Sequence, residues 1–133
     1  MTMKQKDKQK ILIVDDEPDI TIALKMYLEL QGFYVDTFTN PANALAHFKP
    51  GFYHLLILDI KMPEMNGFEL YKEIKKKDKT VKVFFLTALS DIHDYDAFNK
   101  EVFPKEGERY FIAKPIGNEE ILKRINTVIA NTN

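Results

Sequence analysis

The chain of 133 residues contains no cysteine, so disulfides and thiolate metal sites are excluded and a reducing cytoplasm suits it. Only five glycines are present, and none forms a glycine-rich loop for cradling a nucleotide phosphate. No apolar run approaches the ~20 residues needed to cross a bilayer, so no membrane insertion is expected. The lysine-rich start followed by Ile11 to Val14 imitates a secretory signal only briefly, because two aspartates stop the apolar part after four residues. Charge of either sign is not in excess. The formal net charge is -1, which gives no global attraction to nucleic acid, and no direct nucleic-acid partner is expected. His47, His54 and His93 fall on separate predicted elements without metal-ligand spacing. These absences describe a soluble cytoplasmic protein of one domain, long enough to bury a core without staples.

What is present is a set of short apolar runs with polar endings. Ile11 to Val14 runs into Asp15 and Asp16, and Leu55 to Leu58 runs into Asp59. Val81 to Leu86 ends on Thr87, and Tyr110 to Ala113 ends on Lys114 and Pro115. If these runs are parallel strands of one sheet, three carboxylates, a hydroxyl and an ammonium meet at one edge. Polar groups at strand mouths form a site, whereas in mid-strand they would be faults.

The intervening segments read as helices. Pro18 suits a first helical turn, and Ile20, Ala23, Leu24, Tyr27 and Leu28 recur at helical spacing until Gly32. Phe33 to Phe38 is aromatic and β-branched, a strand by propensity; Asn40 and Pro41 then open a short helix that ends before Pro50 and Gly51. A turn-rich loop from Lys61 to Gly67 leads to a helix burying Phe68, Tyr71 and Ile74, with lysines at its end. Ser90 to Phe103 carries a further helical pattern, and Asn118 is placed to cap a last helix. Residues 1–9 read as a flexible lysine-rich tail and 10–131 as the domain. Five strands alternating with five helices predict an α/β fold with a doubly wound parallel sheet, because each parallel crossover needs a helix. In such sheets ligands bind outside the carboxyl ends of the strands.

Three clustered carboxylates are unstable alone, since two like charges ~5 Å apart repel by roughly 3 kcal/mol at an effective dielectric of 20. All-oxygen ligation without histidine or cysteine favours a hard cation, and Mg²⁺ is the natural occupant. Lys114 offsets part of the remaining charge.

Val-Asp-Asp-Glu at 14–17, Leu-Asp-Ile-Lys-Met-Pro-Glu-Met-Asn-Gly at 58–67, Leu-Thr-Ala at 86–88 and Lys-Pro-Ile at 114–116 resemble the receiver domain of two-component response regulators. The resemblance implies a flavodoxin-like strand order 2-1-3-4-5. It implies that Asp59 is the phosphoacceptor, taking a phosphoryl group from a phosphohistidine of a histidine kinase or phosphotransfer protein. Asp16 would bind Mg²⁺ directly, Asp15 largely through water, with Asp59 and the main-chain carbonyl of Lys61 completing the protein ligands. Thr87, Lys114 and the amides of Ile60 and Ala88 would hold the phosphoryl oxygens, and the Lys114-Pro115 bond would be cis. Thr87 and Phe111 would be the switch pair, signalling through the surface of the fourth helix, fifth strand and fifth helix. Lys61 and Leu89 occupy positions that tune phosphoryl lifetime in the family.

Two features depart from the family pattern. The interval from Thr87 to Lys114 is 27 positions (114 minus 87), longer than usual, and Phe111 stands where a tyrosine would present a hydroxyl. A phosphatase of the haloacid dehalogenase type would expect a second acid two residues after the nucleophile, where this chain has Lys61. A flavodoxin-like cofactor binder would not place Asp15, Asp16 and Glu17 at its phosphate loop. A degenerate receiver serving as a constitutive protein-docking module is the remaining alternative. No residues follow the last helix for an effector, so the output is expected through a downstream protein target or a missing effector domain, with a homodimer on phosphorylation as a further partner.

Overall fold

The computed structural model describes residues 8–88 and 110–130. The described chain runs β1 (Lys10–Val14), α1 (Pro18–Leu30), β2 (Tyr34–Phe38), α2 (Pro41–His47), β3 (Leu55–Asp59), α3 (Gly67–Lys77), β4 (Lys82–Ala88), β5 (Phe111–Lys114) and α4 (Asn118–Ala130). The five strands form one sheet in the order β2-β1-β3-β4-β5, every pair parallel. This is the doubly wound, flavodoxin-like arrangement. Four helices are described; the expected helix over Ser90 to Phe103, the departure in its following connection and the position of Leu89 lie outside the described residues, as do His93 and residues 1–7.

β1 from Ile11 to Val14 and β3 from Leu55 to Leu58 are continuously apolar because both faces of the sheet are covered. On one face Ile11, Ile13, Ile57, Phe84 and Ile112 pack against Leu24 and Leu28 of α1 and Ile121 and Ile125 of α4. On the other, Leu12, Leu56, Leu58, Val83 and Phe85 pack against Ala44 of α2 and Phe68, Leu70 and Ile74 of α3. Each such side chain contributes roughly 1.5–3 kcal/mol on leaving water, so these two layers hold the strand ends in fixed register.

Local chemistry sets the element boundaries. Pro18 opens α1, and Gly32, at φ 99°, lets the chain leave it in the left-handed region. Asn40 caps α2 by accepting from the amide of Asn43 at 3.0 Å. Asn66 and Glu69 form a reciprocal capping box at the start of α3, and Lys75, Lys76 and Lys77 occupy its last turn, where the helix dipole favours cations. Two boundaries differ from expectation. Asn118 is the first helical residue of α4 rather than its cap, since Gly117 already accepts from Ile121. β4 continues through Thr87 and Ala88, because pairing with Ala113 and Lys114 carries the strand past its apolar part.

Candidate functional site

The sheet delivers its polar strand ends to one cleft of about 190 Å³, lined by Glu17, Asp59, Lys61, Thr87, Ala88 and Lys114. Asp15 follows β1 directly, and its amide still donates to Phe38 on β2, so the backbone remains sheet-like at that point. Its side chain is fully buried. Oδ1 accepts from the amide of Glu17 at 2.9 Å, fixing the turn into α1. Asp59 is the last residue of β3, paired with Leu86, and is also buried. Thr87 is buried one strand away, its hydroxyl making only a long 3.4 Å bond to the carbonyl of Ala88.

Lys114 joins these groups. Its Nζ lies 2.9 Å from Asp15 Oδ2, 3.1 Å from Asp59 Oδ1 and 3.6 Å from Glu17 Oε1. Burial opposes its charge, but bonds and attraction from Asp15 and Asp59 outweigh that and hold its ammonium above the ordinary lysine value. One lysine does not neutralise the cluster. Burial first, then the charge of Asp15, pushes the Asp59 carboxyl up to about 7, and a carboxyl-carboxyl hydrogen bond with Asp16 adds to this. Burial likewise raises Asp15.

The metal question can be tested on these donors. Asp15 Oδ2 is enclosed, and among the described residues the Lys114 ammonium at 2.9 Å, which it shares with Asp59, is the partner it has. Asp15, Asp16 and Glu17 present carboxylate oxygens within 4.8 Å of one another, with Asp59 adjoining through Asp16 and Lys114. An all-carboxylate set in which one lysine serves both buried acids, Asp15 and Asp59, fits a hard divalent cation.

The predicted residues therefore converge: Asp15, Asp16, Asp59, Thr87 and Lys114 come to one place, and Lys61 borders it. The Lys114-Pro115 peptide is cis, as expected. One expectation fails. The Ile60 amide is committed to the carbonyl of Leu86 at 3.1 Å, prolonging the β3-β4 ladder, and does not face the cleft. Glu17 is a contributor that the sequence reading gave no role; its position directly after two site acids was the available signal. Phe111 is buried against Phe85 and Phe68, with ring centroids 5.9 and 6.2 Å apart.

The family model for the response regulator receiver domain matches residues 11–126. The chain belongs to that family. The receiver is 35% identical to a probable transcriptional regulator, ycf27, of Guillardia theta over 95% of this chain and 47% of that protein, so it spans about half the length of that curated relative. It is similar to the non-phosphorylated HemR receiver domain of Leptospira biflexa, with 30% identity, a TM-score of 0.80, and coverage of 95% of this chain and 98% of that one. It also resembles the response regulator protein TrrA of Thermotoga maritima in complex with Mg²⁺ and BeF, with 32% identity, a TM-score of 0.70, and coverage of 90% and 98%. Receiver domains generally bind Mg²⁺, in keeping with the acid set of this receiver. No described helix is long and apolar enough to cross a membrane.

Proposed function

We propose that this receiver accepts a phosphoryl group on Asp59 from a phosphohistidine of a histidine kinase or phosphotransfer protein, in the cytoplasm. The observation that supports this reading most is the position of Asp59: an enclosed strand-end carboxylate whose Oδ1 faces the Lys114 ammonium at 3.1 Å, beside Thr87, in an open cleft. An Asp59 oxygen would attack phosphorus; the O–P bond forms as the donor P–N bond breaks, and the imidazole leaves with that electron pair and takes up a proton. Attack needs the ionised carboxylate, and a pKa of about 7 leaves a large protonated fraction at neutral pH. Asp15, Asp16, Asp59 and the carbonyl of Lys61 would hold Mg²⁺, whose charge, when bound, keeps Asp59 ionised and screens the phosphoryl oxygens.

Positioning and charge are what phosphoryl transfer requires of a protein. Lys114 and the Ala88 amide would hold phosphoryl oxygens, and the Thr87 hydroxyl, held only by its 3.4 Å bond, is free to turn toward them. That turn would couple to Phe111 and change the surface formed by β5 and α4. A downstream protein, an effector domain or a second receiver would read the change.

Beside the acid cleft lies a groove of about 480 Å³, floored by Ile20, Ala23, Leu24 and Ile116 and sharing Glu17 and Lys114 with the site. It would seat the histidine-bearing partner with its phosphoryl group toward Asp59. Incubation with Mg²⁺ and acetyl phosphate, read by intact mass, tests the acceptor: one added phosphoryl group on the wild type and none on Asp59→Asn. Uptake by that variant would place the acceptor elsewhere.

A further inference from the structure

The end of the sheet opposite the acid cleft is basic. Strands begin there, and helices return the chain there: Lys10 opens β1, Lys82 opens β4, Lys49 follows α2, and Lys75, Lys77 and Lys79 surround the end of α3. The net charge of -1 hides this patch, because it sums the whole chain, including the acid cluster of Asp15, Asp16 and Glu17 at the other end of the sheet.

Hydrogen bonds make these loops one surface. Lys10 and Lys49 place their ammonium groups over the same Phe52 ring, 5.3 and 4.7 Å from its centroid. Asp78 Oδ2 accepts from the Gly51 amide at 2.8 Å, joining that loop to the turn after α3. Lys75 Nζ closes the turn by donating to the Lys79 carbonyl at 2.7 Å. His54 sits between the strand starts: its amide donates to the Lys10 carbonyl at 2.8 Å, and its carbonyl accepts from Lys82 at 3.3 Å. Burial, and then the Lys10 charge, lower the pKa of His54; burial lowers that of Lys75, with a contribution from Lys82, so these cations lie within electrostatic reach. Carboxylates share the region: Asp36 accepts from the Tyr53 hydroxyl at 2.6 Å, and Glu29, at the end of α1, acts on Tyr34 beside Phe52. Glu73 pairs with Lys76 at 2.7 Å, which offsets the charge of that exposed lysine, and Asp78 offsets part of the Lys75 charge while its oxygens are turned to Gly51 and Thr80. An excess of positive charge remains.

We propose that this edge is a docking surface for nucleic-acid phosphates, engaged without regard to base sequence. The cations are all lysines, point charges that suit phosphate oxygens without the planar fork arginine offers to carboxylates. A duplex carries one charge per ~1.7 Å of axis, so counterion release rewards the exposed ammoniums of Lys49, Lys77 and Lys79 more there than on an acidic protein, while Lys10, itself buried, adds charge from behind. A lipid surface would draw on the exposed apolar Met26 and Leu30 at the end of α1, whereas Lys10 and Lys49 gather over Phe52, which is only partly exposed beneath their two ammoniums.

Fluorescence anisotropy of a labelled random-sequence duplex with the whole chain tests this. Binding at ~50 mM salt should weaken at least ~10-fold by ~200 mM. Lys49→Gln with Lys79→Gln, both exposed, should lower affinity ~10-fold and reduce the salt slope by about 2. Lys25→Gln with Lys123→Gln makes the same charge change away from the edge and should leave binding as in the wild type. Asp59→Asn should also bind normally, which separates this surface from the phosphoacceptor reading. Equal weakening by the two lysine pairs, absence of binding at low salt, or binding to phosphatidylserine vesicles but not to the duplex would each overturn the proposal.

Discussion

Lys114 Nζ lies 3.1 Å from Asp59 Oδ1, although 55 residues separate them in the chain. The contact exists because β3 and β5 flank β4, with Lys114 two register positions beyond the level of Asp59 so that its long side chain reaches back, and it places a cation where buried acids need one. Lys114→Met removes that charge and leaves Asp15 and Asp59 facing each other in a site of low polarity. In metal-free buffer the Asp59 carboxyl should then titrate above about 7, followed by carbon-13 NMR of labelled aspartate. Stability at neutral pH should fall by about 2 kcal/mol, with little loss near pH 3, where the acids are protonated. An unchanged Asp59 titration would mean that the lysine contributes no electrostatic stabilisation there.

Asp59 itself makes the metal-free fold pH-dependent. Its folded pKa, about 7, lies above the ordinary 3.8, so the folded state binds the proton more tightly than the unfolded chain. The stabilisation from this carboxyl is fully present below pH 3.8 and is lost as pH rises through 7. Asp59→Asn keeps the shape but cannot ionise. In chelator it should unfold at higher denaturant than the wild type at pH 8, by about 1 to 3 kcal/mol, and nearly match it at pH 4. Added Mg²⁺ should stabilise the wild type more than the variant, narrowing the gap at pH 8. A gap equal at pH 4 and pH 8 would rule out the charge as its cause.

Gly67 supports the same strand end from behind. Its amide donates to the Ile60 carbonyl at 2.9 Å, and a Cβ built on it would run into the carbonyl oxygen of Asp59. The clash is with backbone on both sides, so no side chain can rotate away. Gly67→Ala should cost about 2 kcal/mol or more in chemical unfolding and slow phosphoryl uptake, by shifting Asp59 relative to Lys114. Wild-type stability in that variant would show that the loop from Lys61 to Asn66 can yield.

The legibility of this molecule follows the range of its interactions. Asp15, Asp59 and Lys114 could be found because each ends an apolar run, and parallel strands bring such ends together. Thr87 was found by the same rule but placed just beyond its strand; pairing with Ala113 carries β4 further than its apolar residues do. The Ile60 amide could not be assigned from sequence, because its commitment to Leu86 depends on the register of two strands. Nor could the role of Glu17, whose approach to Lys114 depends on how α1 leaves β1. Of the basic edge, sequence shows only the lysines at the end of α3, since contacts such as Gly51 with Asp78, 27 positions apart, leave no periodic trace.

Asp78 provides a test of that hidden link. It caps the end of α3, where Oδ2 accepts from the Gly51 amide at 2.8 Å, while Oδ1 accepts from the Thr80 amide at 2.9 Å and the Thr80 hydroxyl at 2.8 Å. Burial alone would raise its pKa, but these bonds, together with one from the Val81 amide, outweigh burial and hold the carboxyl below the ordinary 3.8. A lowered folded pKa means stabilisation that is present above pH 3.8 and lost as pH falls through the folded value. Asp78→Ala should therefore cost about 2 to 3 kcal/mol at pH 7, since it strands the Gly51 and Thr80 amides, and proportionally less toward pH 2. Amide hydrogen exchange should locate the loss at Gly51 and Thr80 together. Faster exchange at Thr80 alone would show that the two loops are held by other contacts, and the single-surface argument for the basic edge would lose its main joint.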